Sequence, residues 1–160
     1  TGTWAFRPEN ESLEIISRGM ANSWGLAFDQ WGQSFATDGA GSSGINYVFP
    51  GSAHRDAVGA ANVLPGLNSG TPKNTSTEFI YSRHFPKNWQ GSIITNDFRA
   101  NRTVRYSITP EQSSYLSKEV ETIIKADQRS YRPVESKIGP DGALYIVDFF
   151  DPIVAHCFSV

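Results

Sequence analysis

The chain has 160 residues, with 14 lysines and arginines against 16 acidic residues and a formal net charge of −2. A nucleic-acid-binding protein usually carries a basic field, so this balance argues against that class. No apolar run approaches the roughly 18 residues that span a bilayer, and the one cysteine, Cys157, excludes disulfide scaffolds, cysteine-rich zinc sites and c-type haem attachment within these residues.

Short strands separated by glycine-rich turns follow one another along the chain. In chain order, the predicted strands are Thr3–Phe6, Leu13–Ser17, Trp24–Phe28, Gln33–Asp38, Ile45–Phe49, Ser92–Asp97 and Asn101–Ile108. The stretch from Pro50 to Thr77 is rich in Gly, Asn, Ser, Pro and Ala, which is typical of a long loop. Lys118–Lys125 fits both an amphipathic helix and a strand, and we interpret it as the outer strand of a sheet.

A motif recurs three times: a glycine, an apolar residue three positions later and an aspartate six positions later. The copies are Gly32–Asp38, Gly91–Asp97 and Gly142–Asp148. The first and third follow an apolar strand end and a turn in which glycine supplies the positive φ of a tight hairpin. The spacing between copies is close to the roughly 40–50 residues of a propeller blade plus a loop.

The repeat predicts an all-β fold, a β-propeller, with about three blades of a larger closed ring. The predicted units are a blade end at 1–17, a blade at 18–50, an insertion loop at 51–77, a blade at 78–126 and the start of the next blade at 127–160. A propeller needs at least four blades to close. We therefore expect this sequence to be a fragment of a longer one.

The repeat also predicts a candidate site, because corresponding loops of every blade emerge on one face. That face would carry the aspartates Asp38, Asp97 and Asp148, with Arg18, Asn22 and Arg132 on the links that enter the blades. Carboxylates alternating with guanidinium groups suit a polyhydroxylated ligand or a quinone. The structural alternatives are that each aspartate caps its own loop and that the two arginines tie neighbouring blades together.

Several blocks of the sequence resemble one family. They are Arg18–Gly25, Phe28–Asp38, Ser82–Pro86, Trp89–Gly91, Tyr131–Val134, Gly139–Asp148 and Asp151–Ile153. These blocks resemble the PVC-type membrane-bound dehydrogenase propeller domain, related to the sorbosone and soluble glucose dehydrogenases and of the NHL or glucose-dehydrogenase propeller type. Asp148-Phe-Phe-Asp-Pro152 departs from the Asp-Trp-Tyr/Phe-Asn-Pro that is usual there.

The resemblance implies an exported protein, periplasmic or membrane-associated. It implies a sugar or alcohol substrate and a quinone such as pyrroloquinoline quinone with calcium as a possible cofactor. A c-type haem domain and helical repeats would lie in the same parent chain, outside this segment.

Histidine is the commonest general base near neutral pH. His84 lies in a family-matching block beside Arg83, so we take His84 as the candidate base and Arg83 as a binding residue. His156 follows the last blade segment and is a candidate for the same face, whereas His54, in the irregular insertion, is predicted to be solvated. The spacing assigns no metal ligands.

Three functions remain open from the sequence. The leading hypothesis is a dehydrogenase-like propeller that oxidises sugars or related alcohols and aldehydes. The second is a non-catalytic propeller that binds a glycan or a partner protein, and the third is a structural spacer between haem and helical-repeat domains. The sequence leaves open whether the protein is an enzyme at all.

Overall fold

Strands make up almost all of the regular structure in the computed structural model, which describes residues 1–40, 44–55, 57–68, 70 and 72–152. Within these ranges there is one short 3₁₀ helix, Lys87–Trp89. The strands are β1 (Gly2–Arg7), β2 (Ser12–Arg18), β3 (Ser23–Phe28), β4 (Ser34–Asp38), β5 (Ile45–Val48), β6 (Ser52–Ala53), β7 (Asn74–Phe79), β8 (Ile93–Asp97), β9 (Arg102–Glu111), β10 (Ser114–Lys125), β11 (Pro133–Ile138) and β12 (Leu144–Asp148).

The strands form separate sheets arranged as successive propeller blades. The sheet orders are β1-β2-β6, β3-β4-β5, β7-β8-β9-β10 and β11-β12. Strand β7 packs against β3 and β4 on one side and against β11 on the other. The innermost strands β3, β7 and β11 therefore follow one another as the blades of a propeller do. The predicted all-β propeller class is confirmed, and the described sheets do not close into a ring.

Two features of the strand layout differ from the sequence prediction. The stretch 51–77 is not strand-free, because it holds β6, which pairs in parallel with β2, and the start of β7. Strand β7 reads Asn-Thr-Ser-Thr-Glu-Phe and has no apolar alternation to reveal it. It is nonetheless almost entirely buried, since it lies between two other sheets. The predicted outer strand at Lys118–Lys125 is confirmed as the end of β10, and the blade boundaries stay a prediction.

Hydroxyl groups form hydrogen bonds within the β7-β8-β9-β10 sheet and between it and the neighbouring sheets. The Thr37 and Thr95 hydroxyls both donate to the carbonyl oxygen of Ser76, each at 3.0 Å. On the other side of the same sheet, Ser136 Oγ donates to Asn96 Oδ1 at 2.9 Å. Hydrogen bonds of this kind satisfy buried polar groups, which explains why the almost entirely buried β7 carries hydroxyl residues.

The main apolar core lies between the β3-β4-β5 and β7-β8-β9-β10 sheets. Its buried members are Ala27, Phe35, Ile45, Leu67, Phe79, Ile93, Val104 and Tyr106. Phe35 is the centre of this core, with ring centroids 5.3 Å from Phe79 and 5.1 Å from Tyr115, both edge-on.

His54 is not solvated, contrary to the sequence prediction. Its side chain is fully buried, and the Nε2 atom lies 3.3 Å from Ser52 Oγ. Its backbone N–H donates to the Arg18 carbonyl at 2.9 Å, which ties the segment after β6 to β2. Burial lowers the pKa of His54 because the charged imidazolium would lose its hydration. This segment is therefore packed against β2, although its composition is typical of a loop.

Candidate functional site

The three repeated aspartates occupy equivalent positions at one end of the strands. Asp38, Asp97 and Asp148 each pair with the first residue of the innermost strand of their own sheet. In each copy, the N–H of the residue after the aspartate donates to the carbonyl of the residue before that innermost strand. These backbone bonds are Gly39 to Asn22 at 2.8 Å, Phe98 to Lys73 at 3.1 Å and Phe149 to Arg132 at 3.0 Å.

We call this end of the molecule the Asp face. It comprises the entering links that end at Asn22, Lys73 and Arg132, and the loops that follow Asp38, Asp97 and Asp148. Because the same backbone bonds recur in all three sheets, the sequence repeat and the structural repeat coincide. Asn22 is exposed on this face.

Two of the aspartates cap the links beside them. The fully buried Asp38 accepts N–H bonds from Ala21 at 3.0 Å, Asn22 at 3.3 Å and Ala40 at 2.8 Å. The exposed Asp148 accepts N–H bonds from Arg132 at 2.6 Å and Phe150 at 3.1 Å. Both carboxylates therefore hold the backbone of the Asp face in place. This agrees with the alternative that each aspartate caps its own loop.

Asp97 has a different partner. Its Oδ2 lies 3.2 Å from Arg102 Nη2, and the same guanidinium reaches Glu119 Oε1 at 2.6 Å. Both carboxylates and Arg102 lie in one sheet, because Arg102 is opposite Asp97 in the β8–β9 pair. One arginine is therefore neutralised by two carboxylates.

The two predicted link arginines have different surroundings. Arg132 Nη1 donates to the Phe98 carbonyl at 3.1 Å, and its guanidinium lies 5.6 Å from the centre of the Phe98 ring. Arg132 therefore ties the β11-β12 sheet to the loop after β8. Arg18 is the last residue of β2, and its side chain lines a separate cavity of about 430 Å³ beside Ser52 and Val58.

His84 and Arg83 lie at the opposite end of the strands from the Asp face. Both are exposed in the link between β7 and β8, and the His84 ring lies against Gly142 in the turn between β11 and β12. The pKa of Asp141 in that turn is lowered, first by the Ala143 N–H and to a smaller extent by His84. The predicted base and the predicted aspartate face are thus not brought together. His156 lies outside the described residues.

A cavity of about 360 Å³ opens on the Asp face next to Asp97. Its charged lining residues are Lys73, Asp97, Arg99, Arg102 and Glu119. Arg102 is paired with both carboxylates, whereas the side chains of Lys73 and Arg99 form no ion pair with any residue the structure describes. Two cations of this cavity are therefore available to an anionic group.

Sequence reasoning missed Lys73, Arg99 and Arg102. Asn22 and Arg132 each lie 16 residues before the aspartate they contact. Lys73 breaks that spacing, because a longer link separates β7 from β8. Arg102 could have been found from its position, because it lies five residues after the repeated Asp97, where the next strand of a hairpin would begin opposite that aspartate.

Tyr106 also lines this cavity, and its ionisation should be visible in stability measurements. Burial, then the charge of Glu119, raises the pKa of Tyr106 to about 12. An unfolded tyrosine ionises near 10, so this contribution to stability is complete below pH 10 and is lost as the pH rises towards 12. Two pKa units correspond to about 3 kcal/mol.

We expect Tyr106→Phe to lose less stability than the wild type between pH 9.5 and 12 in urea denaturation. Since Tyr81, Tyr115, Tyr131 and Tyr145 also have raised pKa values, the comparison is between the two pH slopes. Equal slopes would show that Tyr106 ionises as in the unfolded chain.

The residues of the Asp face suit a quinone but not the calcium ion that would accompany it. Asp38 and Asp148 already accept backbone N–H bonds, Asp97 is paired with Arg102, and no group of three acidic, histidine or cysteine side chains suited to a metal occurs in the described part of the chain. The residues therefore do not fit calcium. Lys73 and Arg99 do fit a quinone that carries carboxylates, such as pyrroloquinoline quinone.

The comparison with known families covers almost the whole chain. The family described as a domain of unknown function (DUF7133) matches residues 1–159. The chain belongs to that family. No curated protein matches this DUF7133 chain.

Solved structures with a similar fold include sugar dehydrogenases. The soluble aldose sugar dehydrogenase of Escherichia coli, in its apo form, matches with a TM-score of 0.67 at 19% identity over 87% of this chain and 44% of its own. A proposed oxidoreductase (glucose dehydrogenase) from Thermus thermophilus has a TM-score of 0.64 at 24% identity over 83% and 40%.

The aldose sugar dehydrogenase of Streptomyces coelicolor, bound to pyrroloquinoline quinone (PQQ), matches with a TM-score of 0.60 at 16% identity over 84% of this chain and 39% of its own. The DUF7133 chain thus spans less than half the length of each of these proteins. At these identities the likeness establishes the glucose-dehydrogenase type of propeller fold. Among the described residues, no helix has the length and apolar character needed to cross a membrane.

Proposed function

We propose that this chain is part of an exported, dehydrogenase-like propeller that oxidises sugars or related alcohols and aldehydes, with its ligands bound on the Asp face. The observation that carries the proposal is the pair of available cations, Lys73 and Arg99, beside a cavity on that face. The fold shared with sugar dehydrogenases supports the reaction class. The family resemblance supports a periplasmic or membrane-associated location of the protein.

The residues of this chain would hold a quinone by its carboxylates. Lys73 and Arg99 would each donate charge-assisted hydrogen bonds to an anionic oxygen, while Asp97 and Glu119 keep Arg102 oriented. A bound quinone such as pyrroloquinoline quinone supplies the oxidant for an alcohol or aldehyde. In the proposal, a c-type haem domain elsewhere in the parent chain would accept the electrons.

Neither of the two described histidines can be the proton acceptor of the proposal. His54 is fully buried, and His84 is exposed at the opposite end of the strands. Neither therefore reaches a ligand on the Asp face. A propeller site is shared among blades, so another blade can supply this group.

A second candidate is a non-catalytic propeller that binds a glycan on the same face. It is favoured because two carboxylates of the Asp face, Asp38 and Asp148, cap backbone N–H groups. In this case the Asp face binds sugar without oxidising it.

Dye-linked oxidation of aldoses and sugar alcohols, with and without pyrroloquinoline quinone, separates the two candidates when it is combined with binding measurements. We expect Lys73→Ala and Arg99→Ala each to weaken quinone binding about tenfold, the loss of about 1.4 kcal/mol. The matched variants Arg83→Ala and His84→Ala, at the other end of the strands, should bind as the wild type does.

The outcomes are distinct. Turnover lost in Lys73→Ala and Arg99→Ala supports the dehydrogenase, and sugar binding without turnover supports the glycan-binding alternative. Loss of turnover in His84→Ala alone would move the site to the opposite end, and neither binding nor turnover would contradict both candidates.

A further inference from the structure

A cavity of about 340 Å³ lies between the β3-β4-β5 sheet and the β7-β8-β9-β10 sheet. Tyr47 and Phe49 form one wall, residues 64–67 form the second, and the turn between β9 and β10 with the start of β10 forms the third. Strand β9 begins opposite Asp97 and ends at Glu111. The cavity therefore lies at the opposite end of the strands from the Asp face.

Backbone hydrogen bonds hold the three walls together. The N–H of Leu67 donates to the Ile45 carbonyl of β5 at 2.8 Å, and the Leu67 carbonyl accepts the N–H of Ser117 in β10 at 2.9 Å. Leu67 thus connects the two sheets directly. The cavity is therefore preformed, and its volume is within the roughly 300–1,000 Å³ of small-molecule sites.

Three aromatic rings line the cavity. The centre of the Tyr47 ring is 5.3 Å from that of Phe49, with 44° between the planes, and 4.9 Å from that of Tyr115, with 71° between the planes. The Tyr47 hydroxyl donates to Gln33 Oε1, which holds its ring in place. Phe49 is 37% exposed, and both tyrosines are partly buried. We call Tyr47, Phe49 and Tyr115 the aromatic corner.

The charge beside the aromatic corner is negative. Glu111 is exposed at the cavity, and its carboxylate forms no ion pair with any residue the structure describes. No lysine, arginine or histidine occurs among the described residues that line the cavity. Burial, then the neighbouring Tyr47 and the charge of Asp29, raises the pKa of Tyr115. Its phenol therefore stays neutral, and the surroundings favour a cation.

We propose that this cavity binds a quaternary ammonium cation, with the aromatic corner against its methyl groups and the Glu111 carboxylate balancing its charge. Aromatic rings attract cations through their quadrupole, and cages of such rings recognise quaternary ammonium groups. This cation has no N–H to satisfy, so the apolar Leu64 and Pro65 of the second wall accommodate it. The site is separate from the Asp face and does not depend on sugar oxidation.

Isothermal titration calorimetry of the full 160-residue chain with choline tests this inference. The reference ligand is the uncharged analogue of choline in which carbon replaces the nitrogen, because it has the same shape without the charge. We expect choline to bind about tenfold more tightly than this analogue, as a partly desolvated cation–π site allows. Equal affinities, or no binding of choline at concentrations up to about 50 mM, would overturn the proposal.

Two variants separate the parts of the site. Phe49→Leu removes a ring but keeps apolar bulk, and Glu111→Gln removes the charge but keeps the size. Each should weaken choline binding about fivefold, and Glu111→Gln should leave the affinity for the uncharged analogue unchanged. Glu9→Gln, in the exposed turn between β1 and β2, is the matched control and should bind choline as the wild type does.

Both Phe49 and Glu111 are exposed, and circular dichroism checks that each variant is folded. Folded variants that bind choline as tightly as the wild type would contradict the site. Amide chemical-shift mapping with choline should show shifts at residues 47–49 and 111–116, whereas shifts confined to the Asp face would also overturn the proposal.

A quaternary ammonium group can belong to a free ligand or to a lipid headgroup, and sedimentation with phosphatidylcholine vesicles distinguishes these sources. Sedimentation of the wild type that is lost in Glu111→Gln assigns the site to a headgroup. Choline binding without sedimentation assigns the site to a free cation.

Discussion

Asp38→Ala is expected to lower the free energy of unfolding by about 3–5 kcal/mol. The Asp38 carboxylate is fully buried and accepts three backbone N–H bonds. Alanine would remove the acceptor of three partly buried donors, and an unsatisfied buried donor costs about 1–3 kcal/mol. Urea denaturation of the wild type and the variant measures the difference.

Asp148→Ala is the matched control, because Asp148 has the same place in the repeat but is exposed to water. Its two N–H donors can turn to water, so we expect a loss of about 1 kcal/mol. Asp38→Asn, which keeps one acceptor oxygen, should fall between the two. Equal losses for Asp38→Ala and Asp148→Ala would contradict the capping role of the buried carboxylate.

Gly25→Ala is expected to destabilise the fold by about 3 kcal/mol or more, because the backbones of β3 and β7 approach too closely for a side chain. A Cβ at Gly25 would lie 2.5 Å from Thr77 N and would also overlap the carbonyl carbon of Ser76. Both are backbone atoms, which cannot move aside without separating the two sheets. Overpacking of this kind costs about 1–3 kcal/mol and occasionally more.

Gly32→Ala separates this steric effect from backbone strain. Gly32 has a φ of +79°, and a Cβ there would meet nothing within 4 Å. We expect a loss of about 1–2 kcal/mol, from the left-handed conformation alone. Thermal and urea denaturation of the two variants should rank Gly25→Ala as the more damaging, and the reverse order would show that β3 and β7 can separate cheaply.

Turn chemistry explains why much of the fold could be predicted from the sequence. Gly32, Gly91 and Gly142 all have positive φ, and the aspartates that follow them end the second strand of each sheet. These requirements are local, so they leave a pattern that repeats along the chain. The propeller class and the Asp face both follow from that pattern.

Contacts distant in sequence explain what was missed. Strand β7 is polar because Thr37 and Ser136 hydrogen-bond into its sheet from the sheets on either side, and no local pattern records those neighbours. His84 was chosen as the candidate base from its sequence block alone, but the direction of β7 places it at the other end of the strands from the aspartates.

The aromatic residues show the same limit. Large aromatic side chains usually pack in a core, yet Trp24 and Trp31 are 51% and 77% exposed. The sequence identifies a large apolar side chain but not whether the sheet that would cover it belongs to the same chain.

The central claim is that ligands bind on the Asp face, and amide chemical-shift mapping by NMR tests it most directly. Pyrroloquinoline quinone and D-glucose would be added separately to the isotope-labelled 160-residue chain. The account predicts shifts confined to the links ending at Asn22, Lys73 and Arg132 and to the loop at 98–101. Shifts confined to the opposite end, around His84 and the turn at 139–142, would contradict it.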